Sequence, residues 1–418
     1  RTQRKMNLCY RTYRLRARCV FELFCAFLTT KGGEKARPVL LVRSGTGTPN
    51  WISALECQKL AVGTSSFVCC ETNHTTIKKC RRSVCLVILG RLIDERVHSL
   101  LKANRYEEAR MTVCLKKWWL RGLEYRQEEI FSITTFKTTL RWHQVIDGEW
   151  FDRCDFPVLL YASLNDRVCV VKELLESLPK NNASLRAKYL RSSIPKSGLA
   201  SLGFTGQTSA LHCAVAGASE EVVALLLKHG TDPFETDVAG NDPLMFASIF
   251  GRTDNVKFWL NRFPDWDLEK KNKVVGGFAL GCAISQGPLR YDLVKLLIKR
   301  GASLATRTYP GGSTLFNVCG TEDSDLNAIT HLLTHHKKDF DINHRRIATK
   351  FKWRCIHRLA LILTKSGAST SGLMIDLASQ SGATVLQHAI QRGDVDVVNI
   401  LLRHGADPTI KNDLGKTP

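Results

Sequence analysis

The feature that most constrains how this chain folds is a segment that recurs in its second half. Residues 206–214 read GQTSALHCA and residues 382–389 read GATVLQHA, and each stretch ends in an alanine. In both, two valines stand eight and nine positions after that alanine, and a glycine stands sixteen positions after it. A third copy begins at Asp242, 33 residues after Ser209. A unit this short cannot bury its own apolar side chains, so the copies are predicted to stack on one another.

Within one copy the apolar residues follow the period of a helix. Leu211 and Ala214 share one face of a first helix, and the valines and leucines after them do the same on a second helix. Ser209 is placed to cap the first helix and to hydrogen-bond His212. Gly230 follows the second helix, where a left-handed conformation favours glycine. Each copy is therefore predicted to form two short helices, after which a proline or β-branched residue begins an extended segment that we call a finger.

This pattern resembles the ankyrin repeat, whose motif runs Gly-x-Thr-Pro-Leu-His-x-Ala and continues with Gly, Val-Val, Leu-Leu and Gly-Ala-Asp. The resemblance covers residues 151–418, about two thirds of the chain. Copies are expected at 151–178, 205–237, 238–272, 275–308, 311–343 and 381–413, with a degenerate copy at 345–375, the start of another at 414–418 and a loop inserted at 179–204. The residues that carry the motif are Ser209, Leu211, His212, Ala214, Gly230, Pro243, Leu244, Ala247, Gly301, Thr384, Leu386, Ala389 and Gly405.

The fold class expected from this resemblance is mainly α: an ankyrin-repeat solenoid with short β-hairpin fingers. A partly helical basic region precedes the array. Residues 91–150 have helical spacing, whereas residues 1–90 are basic, cysteine-rich and irregular. We expect residues 1–90 to be less ordered than the repeats and to be cleaved first by a protease.

The charge and cysteine content indicate in which compartment the protein works. The chain has 60 Lys and Arg against 39 Asp and Glu, and residues 1–150 contribute +14 of the net +21. Its apolar runs are all too short for a transmembrane segment. Of the 15 cysteines, nine lie in residues 1–150 and the other six are scattered singly through the rest of the chain. Single cysteines in apolar patterns are typical of core positions in a reducing compartment. The sequence therefore favours an intracellular protein, with the cytoplasm preferred over the nucleus.

Two groups of residues have the side chains of metal sites but are not expected to bind a metal. His331 and His335 have the i, i+4 spacing that could hold zinc, with His336 beside them. His229 and His404 stand at the ends of the second helices of other copies. The histidines at 335 and 336 occupy the same place, which indicates a position of the repeat and not a metal ligand. Near the N-terminus, the spacing of the second group matches no zinc finger; its members are Cys69, Cys70, His74, Cys80 and Cys85. No metal or cofactor is predicted.

Residues 116–121 (KKWWLR) place basic residues beside two tryptophans, a weak nucleic-acid signal. The preferred interpretation is an amphipathic helix whose tryptophans pack and whose basic residues face water. The sequence contains no phosphate-binding glycine loop, nucleophile elbow, kinase motifs or His-Glu-x-x-His metalloprotease motif. These absences favour a chain that is not an enzyme.

The ankyrin resemblance implies a non-enzymatic scaffold or adaptor, a monomeric array that binds other proteins through its finger tips and concave helix face. One alternative is a nucleic-acid-associated protein that uses the basic N-terminal region. Another is a substrate-presenting module of an enzyme whose catalytic domain lies outside this sequence. For Trp266, packing back onto its neighbouring repeat is slightly preferred over exposure. The candidate partner-binding residues are Glu235, Thr236, Asp237, Trp266, Lys270, Lys271, Lys273, Arg307, Lys411 and Asn412.

Overall fold

The computed structural model is mainly helical, and its described residues form two compact units that divide between Phe258 and Trp259. It describes residues 17–29, 39–41, 50–52, 62–64, 67, 81–142, 151, 156–285, 291–320, 326–368 and 371–418. Within these ranges, no helix is both long and apolar enough to cross a membrane.

In the described part of the first unit, four helices precede the repeats. They are α1 (Ala17–Leu28), α2 (Arg81–Lys102), α3 (Tyr106–Trp119) and α4 (Ile133–Thr139). Strands β1 (Val39–Leu41) and β2 (Asn50–Ile52) pair antiparallel, with Val39 opposite Ile52. Helix α1 packs against α2. Its buried Phe24 and Phe27 also lie edge-on to the fully buried Trp119, at ring centroid distances of 6.3 and 5.6 Å.

These contacts correct part of the expectation for the N-terminal region. Helix α1 lies in the region predicted to be irregular, yet it has buried apolar side chains. Helix α2 begins at Arg81, ten residues before the predicted helical segment. The sequence did not reveal this packing because the partners of α1 are far along the chain. Cys69, Cys70, His74 and Cys80 lie outside the described residues.

Helix α3 joins the N-terminal helices to the first repeat. It packs against α5 (Val158–Leu164), which pairs with α6 (Val168–Glu176). The Asn165 side chain donates to the Cys114 carbonyl at 3.1 Å, and Lys117 Nζ lies 2.7 Å from Asp166 Oδ2. Lys116 likewise pairs with Asp94 at 2.6 Å. Trp119 is thus a core residue, and both lysines beside the tryptophans are bound to carboxylates.

The first unit continues with two stacked copies of the predicted helix pair. Helix α8 (Ala210–Gly217) lies between α5 and α10 (Pro243–Ile249), while α9 (Glu220–Lys228) packs on α6. Helix α11 (Thr253–Arg262) spans the division between the units. The predicted loop at 179–204 is instead partly helical: it contains α7 (Ala183–Leu190) and a 3₁₀ turn at Ala200–Leu202. Asn182 caps α7 by accepting from the Leu185 N–H.

The second unit stacks three helix pairs. They are α12 (Ala279–Ser285) with α13 (Tyr291–Lys299), α14 (Thr314–Gly320) with α15 (Leu326–His335), and α18 (Val385–Gln391) with α19 (Val395–Arg403). The first helices form one row, in which α14 contacts both α12 and α18. The second helices form another row, in which α15 contacts both α13 and α19. The pair at 381–413 therefore stacks directly on the pair at 311–343.

This stacking shows that the segment predicted as a degenerate repeat at 345–375 is not a member of the stack. Residues in this range form α16 (Phe351–Lys365), which packs against α17 (Gly372–Gln380) as a helical hairpin. The Arg346 N–H donates to the Ala383 carbonyl at 2.8 Å, and the Gly382 N–H donates back to the Arg346 carbonyl at 3.0 Å. Because the chain is paired on both sides of the hairpin, the hairpin is an insertion at the end of a finger.

Candidate functional site

The repeat motif residues hold each finger onto its first helix. Ser209 caps α8, and its hydroxyl lies 2.9 Å from His212 Nδ1. The other ring nitrogen of His212 lies 3.1 Å from the Asn241 carbonyl, at the far end of the next finger. In the last described repeat Gln387 replaces the histidine, and its Nε2 donates to the Lys416 carbonyl at 2.6 Å. Histidine and glutamine therefore serve the same positioning role, and both are buried.

The backbone hydrogen bonds of the fingers define where each tip lies. Three turns are closed by an N–H···O=C bond of 3.0–3.1 Å: Asp237 to Asn241, Thr308 to Gly312, and Asn412 to Lys416. The tips are therefore residues 238–240, 309–311 and 413–415, eight to ten positions after Gly230, Gly301 and Gly405. The candidate residues predicted in these three fingers therefore stand one to three positions before the tips, a shift towards the N-terminus.

This shift changes the role of three candidate residues in these fingers. Asp237 is buried, and its carboxylate accepts from the Asn241 N–H at 2.7 Å. Asn412 is also buried, and its Oδ1 accepts from the Lys416 N–H at 3.0 Å. Glu235 accepts from the Ser209 hydroxyl, and burial raises its pKa to about 7. These side chains stabilise the fingers and are poorly placed to contact a partner.

The remaining candidates in these fingers differ in exposure. Arg307 and Lys411 are exposed, while Thr236 is half-buried. They lie in three separate fingers. Their role in binding stays a prediction.

The long finger after α11 buries its tryptophan against residues of its own repeat, whereas packing onto a neighbouring repeat stays a prediction. Trp266 is 9% exposed and packs against Trp259 and Phe263, at ring centroid distances of 5.2 and 5.6 Å. Lys270 Nζ lies 6.0 Å from the Trp266 ring. Of the three lysines predicted here, Lys270 and Lys271 are half-buried and only Lys273 is exposed. Of these three lysines, the basic finger therefore presents only Lys273 as exposed.

The tips in the second unit present a row of apolar side chains instead. Val274, Val275 and Ile347 are 58, 39 and 61% exposed. Tyr309 lies between them in the row: its N–H donates to the Val275 carbonyl at 2.8 Å, and its carbonyl accepts from Thr349 at 2.9 Å. We define the finger row as Lys273, Val274, Val275, Arg307, Tyr309 and Ile347.

The sequence contained a signal for these tips. The glycine pairs at 276–277 and 311–312 mark the turns, and Gly276 and Gly311 have φ values of +69° and +95°. Val275 directly precedes Gly276, and Tyr309 stands two positions before Gly311.

The histidine group on α15 has contacts of its own. His331 lies against Tyr291, whose hydroxyl is 3.2 Å from His331 Nδ1, and its ring centroid is 4.7 Å from that of His335. Burial and the neighbouring His335 and His336 lower the pKa of His331. Among the described residues, no group of three or more His, Cys, Asp or Glu side chains is arranged to hold a metal ion.

Comparison with known families identifies the class of this fold. A model of ankyrin repeats in three copies matches residues 159–272 and 211–308, and a model of the single ankyrin repeat matches residues 381–413. The chain is an ankyrin repeat protein, and an ankyrin array is a protein-interaction module. The residues between the two matched regions include the inserted hairpin.

Similar proteins also carry ankyrin repeats. The "Ankyrin repeat and KH domain-containing protein mask-1" of Caenorhabditis elegans is 26% identical over 246 residues, which cover 50% of this chain and 9% of that protein. Among solved structures, the ankyrin repeat domain of Bcl-3, described as a unique member of the IkappaB protein family, is 22% identical with a TM-score of 0.39. It covers 62% of this chain and 91% of that one. The human ASB11 ankyrin repeat domain is 16% identical with a TM-score of 0.41, covering 62% of this chain and 88% of that one.

Proposed function

We propose that this chain is a non-enzymatic scaffold or adaptor that binds a protein partner along the finger row. The observation that supports this proposal is the set of exposed apolar tips in adjacent, hydrogen-bonded fingers, with Lys273 and Arg307 exposed beside them. Apolar anchors bordered by charge are typical of protein interfaces, in which a few residues supply most of the affinity. The positive border favours a partner with an acidic rim and speeds its encounter.

The test compares two double variants of the full chain that change net charge equally. Lys273→Glu with Arg307→Glu alters the finger row, whereas Lys299→Glu with Arg403→Glu alters exposed positions on α13 and α19. Both pairs are surface changes, so the fold should survive. Partners are captured from cells and quantified by mass spectrometry. We expect the finger-row variant alone to lose a set of partners about fivefold or more. Retention of every partner by the finger-row variant would favour the concave helix face instead.

The alternative of a nucleic-acid-associated protein depends on the basic N-terminal region. Its tryptophan-containing segment offers little support, because Lys116 and Lys117 pair with Asp94 and Asp166. The remaining alternative, a module that presents substrates to a catalytic domain outside this sequence, uses the same finger row. Identification of an enzyme fused to the array in the complete reading frame would support it.

A further inference from the structure

The inserted hairpin carries an apolar stripe that the repeat stack does not cover. Along α16, Phe351, Cys355, Leu359 and Ile362 recur at intervals of four, four and three residues, which places them on one face of the helix. All four are exposed, with Phe351, Leu359 and Ile362 at 79, 53 and 64%. We call this set the hairpin stripe. Its side chains present a continuous apolar face about three turns long.

The opposite face of α16 already has a partner. His357 and Ala360 are buried, and α16 packs against α17. This packing fixes which face of α16 points outward. The hairpin stripe is therefore separate from the apolar residues that form the core of the hairpin. Exposed apolar patches of this kind mark interaction sites on otherwise stable proteins.

Cations border the hairpin stripe on both sides. By helical position, Lys352 lies on one side of the stripe, while Arg358 and Lys365 lie on the other, and all three are exposed. The Arg354 guanidinium, on the same side as Arg358, donates to the Ala348 carbonyl at 3.1 Å. Asp376, on α17, is the single acidic residue in the described part of the segment 350–380. The electrostatic surroundings of the stripe are therefore positive.

We propose that the hairpin stripe docks an amphipathic helix of a partner protein whose apolar face is bordered by Asp and Glu. An apolar stripe with i, i+4 spacing matches the apolar face of a second helix, and the flanking cations match acidic residues at its edges. The site is separate from the finger row, so it does not depend on the proposed function of that row. A second copy of this chain is a poorer occupant, because two identical stripes would bring their cations together.

The experiment selects peptide partners without assuming a sequence. A phage library of random 18-residue helical peptides is panned on the full chain and, in parallel, on Leu359→Ser with Ile362→Ser. We expect peptides enriched only on the unaltered chain to carry apolar residues at i, i+3, i+4 and i+7 with Asp or Glu beside them. Affinities of the enriched peptides are then measured by fluorescence anisotropy.

Affinities for three double variants, two of them new, identify what the peptides recognise. Leu359→Ser with Ile362→Ser should weaken binding about tenfold or more. Arg358→Glu with Lys365→Glu should weaken it about fivefold, and less at high salt because screening reduces the charge effect. The finger-row variant Lys273→Glu with Arg307→Glu should leave the peptide affinity unchanged. Circular dichroism confirms that each variant retains its helical content.

Several outcomes would overturn the proposal. Enrichment of the same peptides on both chains would mean that the stripe is not the binding site. Enriched peptides with basic borders would contradict the proposed chemistry of the partner. Concentration-dependent dimers in sedimentation, abolished by Leu359→Ser with Ile362→Ser, would identify a second copy as the occupant. Binding to phosphatidylserine vesicles that the same substitutions abolish would identify a membrane surface instead.

Discussion

At the scale of single residues, glycines determine how closely neighbouring fingers approach. Gly311 has a φ of +95°, and a Cβ there would overlap the Ile347 backbone. Gly301 has nearly the same φ, +96°, but a Cβ there would meet nothing within 4 Å. The sequence predicted Gly301 from the motif, whereas the close approach at Gly311 depends on a finger that lies 36 residues further along the chain. Such spacing between fingers cannot be read from residue types alone.

This difference gives a matched prediction for Gly311→Ala and Gly301→Ala. Both variants force alanine into a left-handed conformation, which costs about 1 kcal/mol. Only Gly311→Ala also requires the two fingers to separate, so we expect it to lower the free energy of unfolding by about 3 kcal/mol. Urea denaturation followed by circular dichroism measures both values. Equal losses in the two variants would show that the fingers do not pack at Gly311.

A second prediction at this scale concerns Glu235. Burial, opposed by the hydrogen bond from Ser209 and reinforced by Asp232, raises its pKa from 4.5 to about 7. Because the folded state holds the proton more tightly than the unfolded state, this group stabilises the fold below about pH 4.5 and loses that contribution as the pH rises through 7. Glu235→Gln cannot titrate. We therefore compare the change in unfolding free energy between pH 4.5 and pH 7 in the two chains. The unaltered chain should lose about 1–3 kcal/mol more than Glu235→Gln over this range. Parallel melts across this range test it, and equal pH dependence in both chains would contradict it.

At the scale of elements, the helix pairs were predictable because each one carries the same apolar spacing, cap and terminal glycine. The inserted hairpin was misinterpreted for a specific reason. Its finger has 36 residues, 347–382, where the finger after α9 has three, 238–240. The excess of 33 residues equals one repeat period, so a helical insertion preserved the expected spacing. The stacking of α14 on α18 and the hydrogen bonds of Arg346 with Gly382 and Ala383 distinguish this insertion from a repeat.

The insertion can be tested by replacing residues 348–380 with a two-residue Asn-Gly turn. Since α14 packs on α18 and α15 on α19 without the hairpin, we expect the shortened chain to fold with a melting temperature within about 5 °C of the full chain. The Asn-Gly pair suits a tight hairpin connection. Hydrogen exchange should show α18 and α19 still protected. Loss of protection in both helices would mean that α16 and α17 are needed in the stack.

At the scale of the whole molecule, net charge is the property that best separates the proposed function from its nucleic-acid alternative. The chain has a charge of +21, and two thirds of it falls in residues 1–150. That distribution was evident from the sequence, but the use of individual basic residues was not. Arg96, for example, is buried with its guanidinium 4.6 Å from the Phe27 ring, and Arg110 lies 4.7 Å from the Trp142 ring. Arginines that pack on aromatic rings inside the fold are less available to bind phosphate. The number of basic residues therefore overstates the positive surface.

The last prediction concerns DNA binding, for which fewer basic residues are available than the net charge suggests. A chain with a positive net charge binds duplex DNA nonspecifically at low salt. This binding weakens steeply as salt is added, because counterions released from the DNA then gain less entropy. We expect measurable binding of a labelled 20-base-pair duplex at about 50 mM NaCl and a Kd weaker than about 10 µM at 150 mM. Lys116→Gln with Lys117→Gln should leave both values unchanged, because these lysines are paired with Asp94 and Asp166. Fluorescence anisotropy over a salt series provides the measurement. Binding tighter than about 1 µM at 150 mM NaCl, weakened by the double substitution, would instead support nucleic-acid recognition by the segment at 116–121.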